Sequence, residues 1–198
     1  MGNPAETGRQ DDPIDPSEPQ ARIQSFEEKY QNSAEECIRD TIRNQRNNPK
    51  AEVRPRYKKI HENCQRYPNE DFWIAVDDAT DKVVGTVGLR FLKDGVGQFI
   101  RLSVRPGFEN KGVGSELINQ LMNFARAYQY KEIYLTTESS ADHEKARGMY
   151  ERRDFKRIGL GDLQDDTRDL LLAGDDNVQH IESGKTLIYK LQLEPEQK

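Results

Sequence analysis

Three apolar runs of strand length follow one another between residues 72 and 104, with only turns between them. A helix-period segment and a further strand-like run come directly after. The runs are FWIAV (72–76), KVVGTVGLRF (82–91) and QFIRLSV (98–104). The gap before the third holds Asp94-Gly95, the pair most typical of a tight hairpin, so the meander is expected to be antiparallel. From about 112 to 128, Val113, Leu117, Leu121, Ala125 and Tyr128 recur at helical spacing, and EIYLTT (132–137) reads as a strand. A helix between two strands of one sheet is a right-handed crossover, which makes 98–104 and 132–137 parallel. A meander joined to a single crossover gives a mixed α/β layer and excludes a doubly wound parallel sheet.

The rest of the chain extends this pattern at both ends. RIQSF (22–26) reads as a short first strand. Ser33 and Glu36 have the spacing of a capping box ahead of a helical face at Ala34, Cys37, Ile38, Thr41 and Ile42, with Pro49 closing the helix. A second helix is expected with Pro55 in its first turn and a stripe at Val53, Tyr57, Ile60 and Cys64. Ser139 with Asp142 signals a helix running to about 152, and 154–159 and 186–193 read as the last strands. Between them, 161–184 is an acidic insertion with a short helix through Leu170, Leu171 and Leu172, stopped by Gly174. Residues 1–20 hold four of the nine prolines and almost no large apolar side chain, so they are expected to be a disordered leader to one domain over 21–198. No apolar run approaches the roughly 20 residues of a membrane span, and no basic-then-apolar start suggests export. Cys37 and Cys64 are too few for a disulfide framework or a zinc site, so no metal is expected and the location is read as intracellular and cytoplasmic.

Gly112 and Gly114 stand where the crossover helix begins, although alanine would favour the helix by about 1 kcal/mol at each interior position. A helix start presents unpaired N–H groups and the positive end of the dipole, and a missing Cβ lets a large anion rest against the amides. Tight packing of helix on strand is the other reading. A Walker loop is ruled out because Val113-Gly114 occupy the places of its Lys and Ser/Thr, and Leu117 breaks a dinucleotide fingerprint.

LSVRPGFENKGVGSELI (102–118) resembles the acetyl-coenzyme A signature of the GNAT superfamily of N-acetyltransferases, L-x-V-x-P-x-x-[R/Q]-G-x-G-[I/V]-G-x-x-L. Leu102, Val104, Pro106, Gly112, Val113, Gly114 and Leu117 match it. Downstream, Ala146, Met149, Tyr150 and Phe155 keep the register of the family's N-x-x-A-x-x-[L/F]-Y-x-x-x-G-F. Glu109 stands where the family has Arg or Gln, Asn110 at the loop's first glycine, His143 at the motif's Asn and Asp154 at its glycine. Glu109 is expected to face solvent, with Lys111 compensating its charge.

The resemblance spans about 21–193. It implies an α+β fold: a mixed, mostly antiparallel seven-stranded sheet, splayed at the parallel strands 4 and 5 and flanked by about four helices. It implies acetyl-CoA as co-substrate, held by Leu102, Ser103, Val104, Asn110, Lys111, Gly112, Val113, Gly114, Ser115, His143 and Ala146, with a main-chain N–H in 102–104 facing the oxyanion. It places Tyr150 as proton donor to the departing thiolate; a core role is the plain alternative for a tyrosine there. The family's basic glutamate corresponds to Gln98, a neutral amide, so Glu138 is the substitute candidate, although it could equally cap the next helix.

The acceptor stays open. The basic run over 39–66 would favour an acidic amine and the acidic insertion a polyamine or lysine-rich peptide, while solvated faces explain both. A catalytically weak scaffold that binds an acidic partner through 39–66 is the alternative function. Aromatics between those cations are few, so nucleic acid is not the expected partner. The late strands could support a homodimer.

Overall fold

Seven strands form one mixed sheet in the computed structural model, which describes residues 21–173 and 183–194. In chain order they are β1 (Ala21–Ser25), β2 (Asp71–Asp77), β3 (Val83–Lys93), β4 (Val96–Val104), β5 (Glu132–Glu138), β6 (Lys156–Ile158) and β7 (Thr186–Gln192). Their order in space is β1-β2-β3-β4-β5-β7-β6, and only β4 and β5 pair in parallel. Lys93 pairs with Val96 across a two-residue turn in which Gly95 takes φ 73°, the backbone state that suits Asp-Gly to this turn. The expected leader over 1–20, and Gly174 as the stop of the last helix, lie outside the described residues.

Five α-helices are present among the described residues: α1 (Gln31–Gln45), α2 (Ile60–Cys64), α3 (Val113–Ala127), α4 (Glu144–Glu151) and α5 (Asp165–Ala173). Strand alternation sorts the core into two layers. Trp73 and Ala75 of β2 face α3, packing with Val113, Leu117 and Leu121, while Phe72, Ile74 and Val76 face α1 and α2. Each fully buried leucine of α3 contributes about 2 kcal/mol by leaving water. The helix that begins at the glycine loop is therefore fixed on the sheet. The insertion is anchored too: Leu171 of α5 is fully buried against Leu92, Val96 and Ile188.

Three local expectations are corrected. Ser33 does not cap α1, which starts two residues earlier; its hydroxyl instead accepts the N–H of Val83 at 2.8 Å, where β3 begins. The second expected helix is broken into a 3₁₀ turn (Pro55–Lys58) and α2, with Lys59 extended between them at φ −146°, ψ 70°. The Gln31 amide takes both groups freed by the break: it donates to the Tyr57 carbonyl at 2.9 Å and accepts the Ile60 N–H at 3.0 Å. The helix expected from Ser139 begins with a 3₁₀ turn (Ala141–His143) behind Ser140, and α4 follows.

Candidate active site

The parallel pair β4–β5 comes apart after three registers, Val96 with Glu132, Gly97 with Ile133 and Gln98 with Tyr134. β5 keeps its partner β7 as far as Glu138 with Thr186, so β4 is the strand that turns away. The cause lies on its other edge. The β3–β4 register jumps from Gly88 with Ile100 to Thr86 with Ser103, so Arg101 and Leu102 oppose Val87 alone. This is a β-bulge, and Arg101 sits in it at φ 50°. The Thr86 hydroxyl holds the displaced Arg101 carbonyl at 3.0 Å, and the Thr41 hydroxyl reaches the Val104 carbonyl at 3.2 Å. Residues 101–104 are left without a β5 partner, and a gap opens between the strands.

The loop from β4 to α3 leads out of this gap. Asn110 takes φ 63° and Gly112 φ 83°, two left-handed positions on either side of Lys111. Alternating handedness of this kind turns successive N–H groups toward one side, a concave nest for an anion. Asn is the side chain best suited to that state after glycine, so Asn110 replaces the family's glycine without loss of backbone geometry. The same holds after α4, where Asp154 takes φ 64° at the motif's glycine place. A Cβ at Gly112 would meet nothing within 4 Å, and one at Gly114 would touch only Val104 Cγ2 at 3.5 Å. Packing therefore does not require Gly112; the backbone state and the open space over it do. No side chain caps α3. Glu109 is exposed as expected, and its Oε2 accepts the Gly107 N–H at 2.8 Å. The carboxylate is thus turned back onto the Arg105–Phe108 turn instead of onto the α3 amides. Lys111 lies with its ammonium 5.7 Å from the Phe108 ring centre.

Gap and loop belong to one cleft of about 1360 Å³. Its walls bring together Leu102, Val104, Asn110, Gly112, Gly114, Ser115, Glu138, His143, Ala146 and Tyr150 from the residues expected in the site. Ser103 is buried beside it, Val113 is in the core under α3, and the Lys111 side chain stands outside the wall. Tyr150 is 8% exposed, edge-on to Phe99 at 5.6 Å, and burial pushes its phenol up to about 12. His143 is held below its usual range mainly by burial, and its Nδ1 lies 3.0 Å from Ser140 Oγ. Gln98 is buried at the root of the gap, and its Oε1 has no hydrogen-bond partner among the described residues.

Glu138 ends β5 at the mouth of the cleft, where its Oε1 forms a short ion pair with Arg46, the residue just past α1, while its carbonyl accepts Arg147 Nη1 at 2.9 Å. Arg46 was expected only as part of the basic run over 39–66, and Arg101 was not among the expected site residues. Arg46 meets Glu138 across 92 residues, which no local pattern signals. Arg101 carried a visible sign: a charge inside the apolar run QFIRLSV.

With this geometry in place, the chain can be set beside known proteins. The profile of the Acetyltransferase (GNAT) family matches residues 35–155. The chain belongs to this family. Among curated proteins, this GNAT chain is 31% identical over 104 residues to N-acetylaspartate synthetase of Rattus norvegicus, a stretch covering 52% of the chain and 33% of the relative. It is 32% identical over 93 residues to human N-acetyltransferase 8B, covering 44% and 39%. The matches thus span little more than a third of the curated relatives' length. Among solved structures, a GNAT-family acetyltransferase from Staphylococcus aureus Mu50 superposes with a TM-score of 0.72 at 22% identity, over 88% of this chain and 99% of that one. The PaiA N-acetyltransferase of Thermoplasma acidophilum, solved in complex with coenzyme A, gives 0.66 at 15% identity, over 87% and 99%. At these identities the superpositions establish the GNAT fold, including the seven-stranded sheet and its splayed pair.

Proposed function

We propose that residues 21–198 form an N-acetyltransferase domain that moves an acetyl group from acetyl-CoA to a primary amine by direct attack. The observation that carries this reading is the continuity of one cleft from the open amides at Gly112 to the β4–β5 gap and the Tyr150 phenol. Acetyl-CoA, when bound, supplies a thioester whose acyl carbon forms the C–N bond as the C–S bond breaks. In this reading the nest around Asn110–Gly112 and the uncapped start of α3 hold the diphosphate. Within Leu102, Ser103 and Val104, a main-chain N–H on the side that β5 has left faces the oxyanion. His143 and Ala146 line the far wall, and Lys111 adds positive charge nearby.

An alkyl ammonium with a pKa of about 10.4 is almost fully protonated at neutral pH, so the acceptor must lose a proton before it attacks. Glu138 is the proposed base, acting through water. Arg46 engages its Oε1, and a carboxylate has further lone pairs for the water. Tyr150 keeps its proton and donates to the departing sulfur. The free, buried thiols of Cys37 and Cys64 are in keeping with a reducing, cytoplasmic setting.

The scaffold alternative draws less support, because many cations over 39–66 are already met locally. Arg39 lies 3.9 Å from Glu35, Arg43 3.7 Å from Glu52, Lys59 2.8 Å from Glu62 and Arg66 3.0 Å from Glu70. The test is thiol release from acetyl-CoA across a panel of amines and peptides, with wild type and Glu138→Gln. Amine-dependent release is expected. The variant should be about 100-fold slower at neutral pH and close to wild type near the amine's own pKa, where the base is no longer needed. Tight coenzyme A binding with no release on any amine would favour the scaffold.

A further inference from the structure

Arg46, Arg54, Arg56 and Arg101 line the cleft together with the carboxylates of Glu138, Asp142 and Glu144, and Arg46 engages Glu138. Arg101 differs from the other arginines in position. It projects from the sheet itself, at the bulge that opens the gap, and its burial is deep enough to hold the guanidinium below its usual range. Tyr57 and Tyr150 oppose that shift while Arg54 and Arg46 add to it, so all four groups are close enough to act on Arg101. Its Nε donates to Ser103 Oγ at 3.2 Å, and among the described residues no carboxylate pairs with it. A guanidinium has five N–H donors, and the half-buried one of Arg101, facing the cleft without a counter-ion, leaves several of them for an anion to complete. Its planar fork matches a carboxylate in two parallel hydrogen bonds.

We propose that Arg101 anchors a carboxylate of the acceptor, and that the amine acetylated belongs to a free amino acid. This rests on the acetyltransferase reading above. The diphosphate is not a competing occupant, because it is assigned to the α3 loop at the other end of the cleft. A carboxylate at Arg101, beside Tyr150, puts an amine one or two carbons away at the gap between β4 and β5.

The test compares thiol release with free amino acids and with their carboxylate-free amides, using asparaginamide for aspartate and glutaminamide for glutamate. Wild type is expected to prefer at least one acid over its amide by about 100-fold in kcat/KM, mainly through KM. Arg101→Gln should abolish that preference, and Arg101→Lys, which keeps the charge without the fork, should weaken it. Coenzyme A affinity, measured by calorimetry, should be unchanged in both variants, which also shows that they fold. Equal use of acids and amides, a preference that survives in Arg101→Gln, or release with no amino acid at all would overturn the proposal while leaving coenzyme A binding intact. Absent coenzyme A binding in wild type would instead count against the acetyltransferase reading. Arg101 is then read directly by NMR: its Nε–Hε signal, identified as the one lost in Arg101→Lys, should shift with millimolar amino acid and not with the amide, and a signal that stays still overturns the anchor.

Discussion

Tyr150→Phe is expected to lower kcat about 100-fold while leaving coenzyme A affinity and thermal stability near wild type. The ring is what packs: Tyr150 meets Phe99 at 5.6 Å, Phe155 at 6.1 Å and Tyr189 at 6.4 Å, and phenylalanine keeps all three contacts. Only the hydroxyl is lost. With the phenol pushed up to about 12 and an ordinary thiol near 8.5, full proton transfer to a free thiolate would be uphill by about 5 kcal/mol. In the proposed mechanism Tyr150 therefore acts as a hydrogen-bond donor to the sulfur as negative charge develops and keeps its own proton, and solvent protonates the released thiolate. The sign of the pH dependence follows. Burial raises the phenol, so Tyr150 stays protonated across the working range and sets no alkaline limb there, and activity should rise with pH as the acceptor amine loses its proton. Stopped-flow thiol release on both forms measures this. An unchanged chemical step would remove Tyr150 from the reaction.

Gly85→Val is expected to damage the scaffold severely. A Cβ at Gly85 would stand 2.8 Å from Leu117 Cδ1, 2.9 Å from Val113 Cγ1 and 3.2 Å from Ala75 Cβ. All three neighbours are almost fully buried, so none can swing into solvent. The strain falls where α3 lies against β3. Overpacking of a tight core costs about 3 kcal/mol at the upper end of its usual range, and valine adds two methyls beyond the Cβ. Thermal melting should fall by about 10 °C, and coenzyme A should bind more weakly because the start of α3 is displaced from β4. A variant that melts with wild type would mean that α3 is not seated on Gly85 as described.

The parts of this molecule legible in the sequence are those set by neighbours along the chain. Asp94-Gly95 specified a two-residue turn, the spacing from Val113 to Ala125 specified the buried face of α3, although Tyr128, expected on that face, is exposed just past the helix, and strand–helix–strand specified the parallel pair. What stayed hidden depends on residues far apart. Ser33 looked like a helix cap because its competing partner, the Val83 amide, lies 50 positions away. The stripe from Val53 to Cys64 looked like one helix, since all four of its residues are buried in either arrangement. Nothing local shows that Gln31 stands ready to satisfy the break at Lys59. In the site, the glycine loop and Tyr150 were readable from their motifs. Asn110 and Asp154 looked like departures until their positive φ values showed the two side chains that best replace glycine. The bulge at Arg101 could not be foreseen, because a register jump belongs to two strands at once.

The central claim is that bare amides at the start of α3 grip a diphosphate and so aim the thiol arm into the gap between β4 and β5. Calorimetric titration with coenzyme A and with pantetheine, which keeps that arm and lacks the diphosphate with its attached nucleotide, tests it in wild type and in Gly112→Val, where the variant isolates the share owed to the nest. Valine rarely adopts the φ of 83° found at Gly112, so the variant should lose the nest while the core stays in place. The account predicts that wild type binds coenzyme A about 100-fold more tightly than pantetheine, and that Gly112→Val removes most of the difference. Equal affinity of wild type for the two ligands, or a variant that holds coenzyme A as wild type does, would contradict it.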